Sequence, residues 1–153
     1  METSHHASDS AEQRRAEISL RELAEVALSC RLTAETLDLG AGTKICVDGV
    51  NFEARTLCEI YSRIGPLKPA QTKKVASDML KLTLVERSLG GSWRKVICLA
   101  DPDAAKCLQG RTWLGAAARE FGIELCVLSL PIEDRTALLA AQARQVMVNG
   151  HGA

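Results

Sequence analysis

The chain has 153 residues, 46% of them apolar and 25% charged, which is enough for one domain to bury a core without a metal or disulfide staple. Nineteen basic residues balance nineteen acidic ones, so no general attraction for nucleic acid or an anionic surface is expected. No apolar run has spanning length or the form of a secretory leader, and a cytoplasmic domain without a membrane partner is expected.

Residues 1–12 are polar and aperiodic and read as a disordered tail, leaving a single domain over 13–149 and a short C-terminal tail over 150–153. From about Ala16 to Arg31, Leu20, Leu23, Ala24 and Ala27 recur at helical spacing. Three strand signals follow: Thr36 to Leu39, Thr43 to Val50 and Arg55 to Ile64, close enough together to require an antiparallel meander. Gly65 and Pro66 end it. Pro69 suits the first turn of a helix running to about Arg87, whose packed side is expected at Val75, Met79, Leu80 and Leu82 or Thr83.

The run WRKVICLA reads as a central strand covered on both faces. A helix from about Asp103 to Phe121, a strand from Ile123 to Leu130 and a helix from about Ile132 to Val148 complete the chain. Strands separated by helices imply parallel crossovers, so the expected fold is α/β: a mixed sheet, antiparallel meander first and parallel crossovers after, with helices on both faces. Six scattered cysteines without a CxxC pair argue for reduced, mostly buried thiols and against a zinc site. Trp93 and Trp113 are expected as core anchors.

Histidine placement narrows the chemistry. His5, His6 and His151 all fall in the terminal segments, which disfavours Ser-His and Cys-His nucleophiles and histidine-built metal sites. There is no GxxxxGK or GxGxxG, and the Gly40-Ala41-Gly42-Thr43-Lys44 turn leads into a strand rather than a helix. What remains is carboxylates, lysines and a hard cation.

Asp48 interrupts the apolar run Ile45-Cys46-Val47, and Glu59 interrupts the strand returning beside it. Two carboxylates on adjacent strands repel unless a cation such as Mg²⁺ or Mn²⁺ lies between them, and such an ion can activate water against a phosphodiester. The plainer alternative has Asp48 opening a turn with Gly49 and Glu59 facing solvent. Gln71, Lys74, Asp78 and Lys81 then form a polar stripe on the next helix, from which a lysine could reach the carboxylates; the alternative is an exposed face with a Lys74 to Asp78 pair. Between Arg63 and Lys95, eight basic residues against two acids leave a local net +6. Arg63, Lys68, Lys73 and Arg94 are its candidates for contacting phosphates, unless acids folded nearby neutralise them. Asp101 and Asp103 could bind a ligand beyond the central strand, but Asp101-Pro102-Asp103 also reads as an ordinary helix start.

Over about residues 15 to 130, through VDG at 47–49, CEIYSR at 58–63, the helix KPAQTKKVASDMLKL and the strand WRKVICLA, the chain resembles the PD-(D/E)xK nuclease superfamily, the restriction-endonuclease-like fold. The resemblance implies that Asp48 and Glu59 bind Mg²⁺ or Mn²⁺, with an acid from the first helix, Glu22 or Glu25, completing the site. The family lysine, two positions after the second acid, corresponds to Tyr61, so that Lys74 or Lys81 would have to supply the ammonium. The implied function is a metal-dependent nuclease or nuclease-like protein acting on DNA or RNA. Two alternatives stand beside it: a non-catalytic nucleic-acid- or protein-binding module of the same fold, and a Rossmann-like ligand domain using Asp101 and Asp103. For selectivity, so small a domain would need a homodimer or a partner protein.

Overall fold

The computed structural model describes residues 3–150, with side chains from residue 11 onward. In chain order the elements are α1 (Thr3–Leu28), β1 (Thr33–Asp38), β2 (Lys44–Asn51), β3 (Thr56–Tyr61), α2 (Pro69–Leu89), β4 (Arg94–Leu99), α3 (Pro102–Ala105), a 3₁₀ turn (Lys106–Leu108), α4 (Trp113–Glu120), β5 (Ile123–Val127) and α5 (Ile132–Gly150). The strands lie in the sheet in sequence order. β1, β2 and β3 are antiparallel, while β3, β4 and β5 are parallel, giving the expected mixed α/β sheet. No helix among the described residues is long and apolar enough to cross a membrane.

Both parallel connections advance across the sheet in one direction, so crossovers of one hand carry their helices over the same face. Val75, Met79, Leu82 and Val85 of α2 and Leu114 and Ala118 of α4 pack there against Leu57, Ile97 and Leu99. The other face is covered by α1 and α5, with Leu20, Ala24 and Leu138 against Cys58, Val96 and Cys98. β4 is buried along its length after Arg94, as its unbroken apolar run requires.

Several expectations need correcting. α1 begins at Thr3, so residues 3–12 continue its helix instead of forming a loose tail. The rest of both terminal segments, residues 1–2 and 151–153, lies outside the described residues. The helix expected from Asp103 to Phe121 is two helices: the chain breaks at Gly110, with φ of 70°, and restarts where the Thr112 hydroxyl accepts from the Gly115 N–H at 3.0 Å. Leu80 is 73% exposed, because the packed side of α2 turns instead through Val75, Asp78, Met79, Leu82 and Val85. Trp113 is 74% exposed and no core anchor, whereas Trp93 meets Phe52 edge-on at 6.0 Å. Of the six free cysteines only Cys58 and Cys98 are fully buried, and Cys46 is exposed.

Candidate active site

The β2–β3 ladder pairs Asn51 with Thr56, Val50 with Leu57 and Gly49 with Cys58, and stops there. Asp48 and Glu59 are the next residue on each strand. On its other side, β2 pairs Val50 with Thr33 and Val47 with Glu35, so Asp48 and Gly49 together stand opposite Ala34 alone. This is a β-bulge, which bends a strand and re-aims its side chains. Strict alternation would send Val47 and Val50 to opposite faces, yet both join the α2-side core.

Gly49 is required at the bulge, since a Cβ there would lie 2.6 Å from Cys58 Sγ and 3.2 Å from Leu32 Cβ. Beyond the last ladder pair the Ile60 N–H donates to Asp48 Oδ2 at 2.9 Å, so a side chain takes over from the backbone partner. Asp48 therefore sits inside a strand and starts no turn; the hairpin turns later, where Asn51 Oδ1 accepts from the Ala54 N–H at 2.7 Å.

Glu59 is 2% exposed, which removes the solvent-facing alternative. Burial, together with the Asp48 carboxyl beside it, pushes its proton affinity up to about 8, against the pull of Lys81. Lys81 Nζ lies 2.6 Å from Glu59 Oε1 and 3.3 Å from Asp78 Oδ1. Burial works against the charge on Lys81, but Glu59 outweighs it and raises the lysine above its ordinary value.

Asp78 is itself buried; against that burial the Tyr61 hydroxyl and Lys74 hold it below the usual carboxylate range. Tyr61 donates a very short hydrogen bond to Asp78 Oδ2. Its phenol is raised by burial and then by that carboxylate, so it remains protonated. Lys74 Nζ lies 3.0 Å from Asp78 Oδ2 and 4.8 Å from the centre of the Tyr61 ring. Tyr61 anchors the aspartate that holds both helix lysines.

A pocket of about 250 Å³ opens beside this network, lined by Glu17 and Arg21 of α1, Asp48, Ile60 and Lys74. The first-helix acid at the pocket is thus Glu17. Glu22 is exposed and does not line it, and Glu25 is occupied elsewhere, its Oε1 accepting from the Leu32 N–H at 2.9 Å. Helical periodicity shows that Glu17 and Arg21 share a face of α1, but only the crossing of α1 over the sheet brings that face to Asp48. No three His, Cys, Asp or Glu side chains among the described residues group closely enough to hold a metal ion. Two convergent carboxylates nevertheless suit Mg²⁺, which is commonly held by one or two carboxylates while water and substrate supply its other oxygens.

The local positive charge is largely balanced. Arg94 forks onto Glu124 at 2.6 and 2.7 Å, Lys95 pairs with Glu86, and Lys74 and Lys81 belong to the network above. Arg94 is thereby engaged across β4 and β5. Among the described residues, Arg63, Lys68 and Lys73 have no ion-pair partner. The second acidic pair is structural: Asp101 Oδ1 accepts from the Asp103 N–H at 2.8 Å, and its Oδ2 takes the Gly65 N–H at 3.1 Å and Arg135 at 2.9 Å. Asp103 pairs with Lys106 on the surface. Compared with family models, curated proteins and solved structures, the chain gives no significant match to any.

Proposed function

We propose that this chain is a small metal-dependent nuclease of the restriction-endonuclease-like kind, hydrolysing phosphodiester bonds in DNA or RNA at the pocket beside Asp48. One observation carries the reading: the carboxyls of Asp48 and Glu59 meet where β2 and β3 part, with Lys81 in contact with Glu59 and Lys74 on the pocket wall. Asp48 and Glu59 would hold Mg²⁺ or Mn²⁺, which supplies Lewis-acid activation of water and phosphoryl oxygen.

The remaining roles follow from charge and position. Lys74, which lines the pocket, would offset negative charge growing on the phosphoryl group. Lys81 is a positioning residue: it spans Glu59 and Asp78, and its raised proton affinity keeps it an ammonium, unsuited to taking a proton from water. Tyr61 and Asp78 fix both lysines.

Titration with Mn²⁺ should release heat in the wild type and none in Asp48→Asn, which retains an acceptor for the Ile60 N–H and so preserves the local backbone. Cleavage of plasmid or single-stranded DNA should disappear in Glu59→Gln while the fold persists. Equal cleavage by the variant would overturn the assignment.

A second reading, a non-catalytic module of the same fold, is favoured by one feature: Lys81 already occupies an oxygen of Glu59, and Glu59 is buried beside Asp48 rather than on the pocket wall. A flat Mn²⁺ trace for the wild type selects this reading.

A further inference from the structure

We infer that a second, smaller pocket around Arg63 binds a phosphate of the nucleic-acid strand, next along from the phosphate at the Asp48 pocket; the inference rests on the nuclease reading for the strand, though not for the anion. The pocket, about 120 Å³, is lined by Gln13 of α1, Ser62 and Arg63 just past β3, Gln71 of α2, and Gln142 and Gln145 of α5. Its lining contains one cation and no carboxylate.

Two of the lining residues, Arg63 and Gln71, keep an N–H donor without a protein acceptor. Arg63 Nε is buried and has no hydrogen-bond partner, and Arg63 has no ion pair among the described residues. A guanidinium N–H withdrawn from water and left unpaired is unfavourable, and an oxyanion is the group its planar fork matches. Gln71 Oε1 already accepts from the Lys68 N–H at 2.8 Å, leaving the amide nitrogen as its free donor. Gln142 is held in place on the Ile64 backbone, accepting from its N–H at 2.9 Å and donating to its carbonyl at 3.0 Å. The space equals that of about four waters, room for one tetrahedral anion.

Position connects this pocket to the first one. Gln13 and Glu17 lie four residues apart on α1, Gln71 and Lys74 three apart on α2, and Ile60 and Ser62 two apart along the chain leaving β3. In each pair one member lines the Arg63 pocket and the other the Asp48 pocket. The two pockets thus share three walls and are offset by roughly one helical turn, about 5 Å. That offset is comparable to the step between neighbouring phosphates of one strand, so a strand with one phosphate at Lys74 presents its neighbour to Arg63.

Two probes separate the anion from the strand: inorganic phosphate, and a dinucleotide with or without a 5′-phosphate. Each is titrated into the wild type, Arg63→Met, Arg63→Lys and Asp48→Asn by calorimetry without metal. Phosphate should bind the wild type at one saturable site, weaken about tenfold or more in Arg63→Met, recover partly in Arg63→Lys, and persist in Asp48→Asn. The 5′-phosphorylated dinucleotide should bind more tightly than the unphosphorylated one, and only when Arg63 is present.

A flat phosphate trace for the wild type overturns the pocket whatever the variants do, and so does undiminished binding in an Arg63→Met protein whose urea midpoint shows it folded. Phosphate binding without any gain from the dinucleotide's 5′-phosphate overturns the strand assignment. Absence of Mn²⁺ heat alongside intact phosphate binding refutes the nuclease reading and leaves the anion pocket standing.

Discussion

Replacing Glu59 by glutamine isolates the energetic consequence of burying an acid beside Asp48. The side chain keeps its size and can still accept from Lys81, but it cannot ionise. In the wild type the folded protein binds the Glu59 proton up to about 8, whereas the ordinary value of the exposed group is 4.5. Between those values the unfolded chain releases a proton that the folded chain retains. The contribution is therefore fully present below 4.5 and declines as pH rises, at about 1.36 kcal/mol per pH unit, until the folded value is passed.

Over the whole interval the loss amounts to at most about 5 kcal/mol, a large share of the stability of a domain this size. Glutamine removes that decline while leaving every other titration in place. Urea denaturation followed by circular dichroism, at steps from about pH 5 to about pH 9, should show Glu59→Gln gaining on the wild type by several kcal/mol, most of it before pH 8. A difference between the two proteins that is constant across this range would refute the claim that Glu59 folds into the sheet as the neutral acid.

Lys81→Met removes the cation beside Glu59 and one of the two beside Asp78, and thermal unfolding should show a loss of about 3–5 kcal/mol that grows above pH 8, where the wild type ionises Glu59 beside Lys81 but the variant must keep it protonated; a loss independent of pH would argue against the pairing. Gly49→Ala should cost about 1–3 kcal/mol because its Cβ meets Cys58 Sγ. In a double-mutant cycle Cys58→Ala should restore part of that loss, and strictly additive effects would place the strain elsewhere. Against its burial, Asp101 is held below the usual carboxylate range by the Asp103 and Gly65 N–H groups and by Arg135. Its stabilisation is thus present above the unfolded value and lost as pH falls through the folded one. Asp101→Asn should cost about 1–3 kcal/mol at neutral pH, with the two denaturation curves converging in acid.

The order of elements was legible along the chain because each signal is local. Pro69 starts α2, closely spaced β-rich runs force a meander, and the unbroken apolar run of β4 between two helices reads as a doubly covered strand. The two strand acids and the polar stripe of α2 were legible for the same reason: a charged residue inside a β-run, or four polar residues at helical spacing, is visible without knowing the neighbours. The break at Gly110 was not, since the restart depends on the Thr112 side chain capping the Gly115 N–H. Nor was the exposure of Leu80 and Trp113, which depends on how far α2 and α4 are rotated against the sheet.

What the sequence alone determined is which groups exist and on which elements they ride: Asp48 on β2, Glu59 and Tyr61 on β3, Lys74, Asp78 and Lys81 on α2. Which of them meet was decided in three dimensions. The bulge at Asp48 and Gly49 brings the first acid beside the second, the placement of α2 along the sheet puts Lys81 rather than Lys74 at Glu59, and the crossing of α1 brings Glu17 rather than Glu22 to the pocket. Periodicity gives a side chain's direction about its own axis, but contact between elements depends on the angle and offset of two axes, and the packing of the whole core sets those.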